Sequence, residues 1–325
     1  MKAERKAVAI TGASSFLGTL LIERLEQDRR YPKVVALDLQ KPALPLTKTV
    51  FHKVDLTLPG VEDQIATVLK VEDVGALVHL AFLGSFTHDA AWAHELESIG
   101  TLRLLDACAA AGLRKLVLWS QGICYGADPG HPQYLTESQP LASASATPFA
   151  ADKIDAERQV SEWQRERPGA VVTVLRMAPL VSADADNVVA RVLRRRVIPV
   201  LMGYDPLVQL LHPRDAAAAL QRVLDEDHPG VFHVAGEGVL PLRTVVALLG
   251  RVPLPLPWAL ARRTAGMLWM GQLIHLPPAF LDYLRYSCVL DTDKARRNLG
   301  FVPEHGIHDI LAEFLAGPAS AEVAS

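Results

Sequence analysis

Cysteine is scarce in this chain. Its 325 residues include three, Cys108, Cys124 and Cys288, widely spaced and without a Cys-x-x-Cys pair. That argues against a disulfide framework and a cysteine zinc site, and makes a reducing compartment the expectation. An excess of one charge is also missing. Lys and Arg number 33 against 36 Asp and Glu, a formal net charge of -3, so nothing supports a chain-wide grip on nucleic acid and no such partner is expected. Behind the charged start Met1–Lys6 the apolar run stops at Thr11-Gly12. With no secretory h-region or cleavage site, a cytoplasmic protein is expected. There is no internal repeat, no heptad array and no Gly-x-Ser-x-Gly elbow of a hydrolase. His305 and His308 have Glu304 beside them, but the sequence places no third ligand, so they read as surface histidines and no metal is expected. Arg194-Arg195-Arg196 reads as a solvated helix end or an anion contact.

Long uncharged runs are absent with one exception, Thr264 to Leu281, which follows Arg262 and Arg263. Its length suits a membrane span, yet Gln272, His275, Pro277 and Pro278 interrupt it, each costly or helix-breaking in hydrocarbon. The expectation is a buried helix and loop of a substrate lobe. The alternative is docking on a membrane surface through Trp258, Leu268 and Trp269.

What is present is alternation. Short apolar runs at Ala7–Ile10, Val34–Leu37, Ala76–Leu80, Lys115–Trp119 and Ala170–Leu175 are separated by helical patterns at Phe16–Gln27, Ala90–Ala111 and Lys153–Arg165. Strands apolar on both faces that alternate with helices predict a parallel sheet covered on both sides. Between Leu37 and Val50 the chain reads as a polar, proline-rich connection. Later, Asn187–Arg196 and Arg214–Leu224 look helical and Gly230–Val234 strand-like; Pro253-Leu254-Pro255-Leu256-Pro257 suits an extended connector. Thr292–Leu299 reads as a short final helix capped by Gly300, before a small, polar tail expected to be flexible. About two domains are expected from length: a nucleotide-binding domain over 1–178 to which 211–235 returns, a substrate lobe from 179–210 and 236–316, and a tail at 317–325.

The first strand runs into Thr11-Gly12-Ala13-Ser14-Ser15-Phe16-Leu17-Gly18, which opens a helix. Gly12 suits the tight turn, Gly18 the close packing of helix on strand, and the free N–H groups at the helix start suit a pyrophosphate. Ser15 stands where a middle glycine is expected. Asp38 ends the next strand, 20 residues beyond Gly18. A carboxylate there accepts both ribose hydroxyls of an adenosine and repels a 2′-phosphate, favouring NAD over NADP, although Lys41 and Arg29-Arg30 soften that choice.

These residues, with several later ones, resemble the extended short-chain dehydrogenase/reductase family of NAD-dependent epimerases and dehydratases. The loop is similar to the family's TGxxGxxG. Asp55-Leu56 resembles the Asp-Leu that holds the adenine, and His79-Leu80-Ala81 the segment beneath the nicotinamide. Gly100-Thr101, Leu175-Arg176 through Pro179, Leu211 to Asp215 and Asp293 to Phe301 match further segments in the family's order. The resemblance covers nearly the whole chain. It implies a Rossmann-type doubly wound parallel sheet with a smaller, mostly helical C-terminal substrate lobe. It implies NAD held by Gly12, Ser14, Ser15, Phe16, Leu17, Gly18, Asp38, Asp55, Leu56, Leu80, Ala81 and Lys153. It also implies a small-molecule ligand, and a homodimer through the helices Ala90–Ala111 and Lys153–Arg165.

The family's chemistry, by the same resemblance, depends on a Ser/Thr–Tyr–Lys set supported by an Asn. Here the family's YxxxK is Phe149-Ala150-Ala151-Asp152-Lys153, so the lysine is retained and the tyrosine is phenylalanine. Gln121 stands at the serine, with Ser120 one place early, and Glu97 at the Asn. Phenylalanine has no proton to give, and general acid–base catalysis is typically worth about 10²–10⁴-fold. Tyr125, Tyr134 and Glu97 are the candidate substitutes; their plainer readings are a half-buried aromatic, a loop residue and a helix-surface charge. Two expectations stand together. One is an NAD-binding protein that has lost the standard redox chemistry and acts in cofactor sensing or partner binding. The other is an active oxidoreductase or epimerase with a relocated acid/base, acting on an apolar or nucleotide-linked alcohol. The apolar Leu256–Leu281 stretch favours a hydrophobic ligand.

Overall fold

The computed structural model describes residues 6–142, 147–274 and 276–317. The chain begins with β1 (Ala7–Thr11), α1 (Phe16–Gln27), β2 (Val34–Asp38), β3 (Thr49–Lys53), α2 (Val61–Val71) and β4 (Val74–His79). There follow α3 (Ala90–His94), a π-helical turn over Glu95–Ile99, α4 (Gly100–Ala111), β5 (Lys115–Gln121), α5 (Pro148–Glu166) and β6 (Val171–Met177). The later part comprises α6 (Val188–Arg194), β7 (Val197–Leu201), β8 (Leu207–Val208), α7 (Pro213–Asp225), β9 (Gly230–Val234) and β10 (Leu240–Pro241). It ends with α8 (Leu242–Leu248), β11 (Val252–Leu256), α9 (Trp258–Met270), a 3₁₀ turn over Pro278–Leu284 and α10 (Ile307–Ala316).

Seven strands form one parallel sheet in the order β3-β2-β1-β4-β5-β6-β9. All five residues of β1 and the first four of β2 are buried, as expected where helices cover both faces. This is a Rossmann-type doubly wound α/β fold. Because β1 lies between β2 and β4, the strand order reverses at its carboxyl end, which opens the crevice where such sheets bind ligands. A second apolar cluster, including Val181, Leu193, Ile198, Leu210, Val245 and Ile310, holds the C-terminal lobe together.

Several local expectations change. The supposed connection before Val50 ends in β3, a half-buried edge strand whose mixed composition hid it. Pro253 and Pro255 lie within β11, which pairs in parallel with β7. Proline alternates with Val252, Leu254 and Leu256, so the missing N–H groups all fall on the side away from β7, while the N–H of Val252 reaches the Arg196 carbonyl. The segment at 292–299 closes on a π-helical turn, Ala295–Leu299, ended by Gly300 at φ +60°. It is not the last helix, because α10 follows. The tail from residue 318 and His275 lie outside the described residues.

The uncharged run at 264–281 is not a buried helix. Among the described residues no helix is long and apolar enough to cross a membrane. In α9 only Ala261 is buried. Trp258 and Trp269 are half-buried rather than exposed, the first beneath Arg285 at 4.2 Å and the second stacked on His88 at 3.9 Å.

Candidate functional site

The crevice begins at the turn from β1 into α1. Gly12 has φ +65°, and a Cβ there would lie 2.7 Å from the carbonyl carbon and oxygen of Leu80. A Cβ on Gly18 would run into the Gly12 carbonyl oxygen. Ser15 caps α1 by accepting the Gly18 N–H at 3.1 Å. Asp38, at the end of β2, accepts the Ser14 N–H at 2.8 Å with one carboxylate oxygen and the Leu39 N–H at 2.6 Å with the other. The acidic residue thus also holds the phosphate loop in place. Asp55 accepts the N–H and hydroxyl of Thr57, at 2.9 and 2.6 Å, and so shapes the turn after β3. Leu56 and Leu80 are buried, and Ala81 packs half-buried against the same core.

The proposed catalytic positions take unexpected partners. Glu97 is not a surface charge. The π-helical turn, a feature common at functional sites, carries it inward to 1% exposure, and Lys153 to which it bonds is 2% exposed. Lys153 Nζ donates to both Glu97 carboxylate oxygens, each at 2.8 Å, and lies 3.5 Å from the Phe149 ring centroid. Burial pushes the Glu97 carboxyl above its usual range, opposed by Lys153 and by the Leu83 N–H it accepts at 2.6 Å. Ser120 donates to Glu157 at 2.5 Å, and Glu157 also holds Arg176. Tyr125 is fully buried, not half-buried. Its hydroxyl meets His233 Nε2 at 2.6 Å and accepts from Arg176 at 2.6 Å. Burial raises that hydroxyl to about 12, and Tyr125 does not line the cavity described next. Tyr134 is exposed.

A cavity of about 380 Å³ adjoins the phosphate loop. Ser15, Phe16 and Leu17 form one end, Trp119, Gln121, Phe149 and Met177 the sheet side, and Val192, Leu207, Leu242, Phe280 and Tyr283 the lobe side. Among the described residues Asp186 is the lining residue with a formally charged side chain, and it is ion-paired with Arg191. Trp119 Nε1 is buried with no hydrogen-bond partner among the described residues.

Residues 8–235 match the model of the NAD dependent epimerase/dehydratase family. The chain belongs to the NAD-dependent epimerase/dehydratase family. An uncharacterized protein of Mycobacterium tuberculosis is 31% identical over 324 residues, covering 96% of this chain and 84% of that one. A 3-diazoavenalumate denitrifying reductase of Streptomyces is 29% identical over 222 residues, covering 65% of this chain and 67% of that one. The UDP-glucose 4-epimerase of Thermus thermophilus, solved with NAD, superimposes with a TM-score of 0.74 at 21% identity, over 95% of this chain and 98% of that one. The Thermotoga maritima UDP-glucose 4-epimerase, solved with UDP-glucose, gives 0.75 at 18% identity, over 95% and 97%. These epimerases share the fold.

Within the family framework, the loop, Asp38 and the crevice come together as the sequence suggests. The Glu97–Lys153 pair and the Glu157–Arg176 pair were not foreseen, because their partners lie 56 and 19 residues apart with no local pattern joining them. His305 meets His212, with rings stacked at 4.0 Å, rather than His308. Ligand atoms of His212, His305 and Glu313 lie within 4.8 Å of one another. His212 Nδ1 accepts the Arg214 N–H at 3.3 Å, and its Nε2 is buried 3.0 Å from a Glu313 carboxylate oxygen without a hydrogen bond in good geometry among the described residues.

Proposed function

We propose that this family member binds NAD(H) but does not run the Ser–Tyr–Lys proton relay, and works in cofactor sensing or partner binding. The loop fits the cofactor: the space a Cβ would fill at Gly12 and Gly18 is taken by backbone, and the capped start of α1 presents N–H groups to a pyrophosphate. Asp38 would accept ribose hydroxyls. Bound NAD supplies a site of hydride exchange at its nicotinamide. The observation that carries the reading is Lys153, held by Glu97 and covered by the Phe149 ring. In that place the lysine lowers no tyrosine pKa, and the ring that covers it has no hydroxyl through which to move a proton.

The cavity supports a neutral, apolar ligand over a nucleotide-linked one. A second diphosphate would have to be met by cationic side chains or by another helix start, and the lining residues described include no Lys or Arg. Gln121 at the wall can still donate a hydrogen bond to a ligand carbonyl. A homodimer through α3–α4 and α5 belongs to the same proposal, with Trp92 on α3 and Leu102 on α4 exposed.

The test is NAD and NADH titration by calorimetry, followed by turnover against a panel of apolar carbonyls. The unmodified protein should bind cofactor and turn over nothing, while Phe149→Tyr combined with Gln121→Ser and Glu97→Asn should gain turnover. Substantial turnover by the unmodified protein would instead favour the second reading, an active oxidoreductase with a relocated acid/base. That reading draws support from the Streptomyces relative named as a reductase and from the unpartnered Trp119 N–H beside the cavity.

A further inference from the structure

The outer face of α9 has no partner among the described residues, and its composition is unusual. Leu260, Arg263, Met267 and Met270 follow one another at spacings of three, four and three, which places them on one side of a helix. All four are exposed, Leu260 by 51%, Met267 by 66% and Met270 by 85%. Leu273, just past the helix, is exposed by 74%. An apolar face of this kind is rarely left to water without a use.

The charge around it has one sign. From Gly238 to Leu281 the chain has no acidic residue and four arginines, Arg243, Arg251, Arg262 and Arg263. Arg262 and Arg263 are exposed. Asp282, the first acid beyond the stretch, lies 3.8 Å from Arg285 and also feels Arg262. Methionine and leucine projecting between arginines match a surface that is apolar beneath and anionic at its rim, which is the chemistry of a negatively charged lipid bilayer. The position of the face adds a second observation. The 3₁₀ turn Pro278–Leu284 packs against α9 and contributes Phe280, Tyr283 and Leu284 to the apolar cavity. The helix with the exposed face therefore packs on the turn that closes one side of the cavity, without lining the cavity itself.

We propose that the C-terminal lobe docks on an anionic lipid bilayer through the outer face of α9, with Leu260, Met267, Met270 and Leu273 entering the interface and Arg262 and Arg263 meeting lipid phosphates. The turn that carries Phe280, Tyr283 and Leu284 into the cavity then lies next to the docked helix. The helix lies on the membrane and does not cross it.

The experiment is co-sedimentation of the full chain with vesicles of phosphatidylcholine alone and of phosphatidylcholine mixed with phosphatidylglycerol. The protein should sediment with the anionic vesicles and about tenfold less with the neutral ones, and added salt should weaken the binding. Met267→Glu with Met270→Glu should reduce binding about tenfold, and Arg262→Gln with Arg263→Gln should do the same on anionic vesicles only. These side chains are exposed, so circular dichroism and the melting midpoint should match those of the parent. Sedimentation with neither vesicle overturns the proposal. So does binding that the methionine variant leaves unchanged, or a methionine variant that only converts a dimer to a monomer, which would assign the face to a second copy of the chain. No cofactor enters the measurement, so its failure is distinct from a failure to bind NAD.

Discussion

Lys153 and Glu97 are 56 residues apart in the chain and 2.8 Å apart in the fold, sealed beneath Phe149. Two opposite charges in so dry a place survive because each satisfies the other, with the Leu83 N–H as a further donor to the carboxylate. Removing one partner strands the other. Glu97→Gln should therefore lower the free energy of unfolding by about 3–5 kcal/mol, and Glu97→Leu with Lys153→Met should regain most of it. Urea denaturation measures both; a neutral single variant would show that the pair is open to water.

Asp38 holds the loop through the Ser14 N–H at 2.8 Å, and in the proposed function it also accepts the ribose hydroxyls. Asp38→Ala should weaken NAD binding about tenfold, the loss of roughly one charge-assisted hydrogen bond. Gly12→Ala should be more severe, because its Cβ meets the Leu80 carbonyl at 2.7 Å in a backbone conformation unsuited to alanine. Calorimetric titration with NAD distinguishes the two, and unchanged affinity in Asp38→Ala would remove the carboxylate from the site.

Acid should unfold the protein earlier than its carboxylates alone would dictate. His79 sits between Thr11 and Thr101, and burial lowers its pKa from 6.5 to about 3. The unfolded chain takes up a proton below 6.5 that the folded one refuses. This contribution to stability is whole above pH 6.5 and is lost as the pH falls toward about 3, at about 1.4 kcal/mol per pH unit for one such group. Buried His233 and His212 are shifted in the same direction. Melting curves across this range should show the slope, and His79→Gln should flatten it.

The thiols should be inert in the folded state. Burial raises Cys108, Cys124 and Cys288 to about 12, and only the thiolate reacts. A disulfide reagent at mildly alkaline pH should label none of them within minutes, and all three free cysteines after unfolding in urea. Rapid labelling of Cys288 in the native protein would show that solvent enters the cavity it lines.

How much was legible in the sequence follows from how local each signal is. The apolar runs of β1, β2, β5 and β6, the helix Phe16–Gln27 and the turn at Gly12 are written in consecutive residues, and they appear where the pattern put them. Edge strand β3 escaped because a half-buried strand has a weak pattern. Tyr125 looked available for proton transfer by its position in the chain, yet its hydroxyl is taken by His233 and Arg176.

By itself the sequence determined the doubly wound sheet, the tight turn at Gly12 that opens α1, and the presence of Phe149 four residues before Lys153. Periodicity, turn geometry and residue type act over a few neighbours, so reading them needs no knowledge of distant contacts. Only the tertiary structure decided that Lys153 is ion-paired, that the described lining of the cavity lacks cations and that α9 turns its Leu and Met side chains outward. Burial and charge pairing are properties of segments brought together from far along the chain, and no local pattern records which of them will meet.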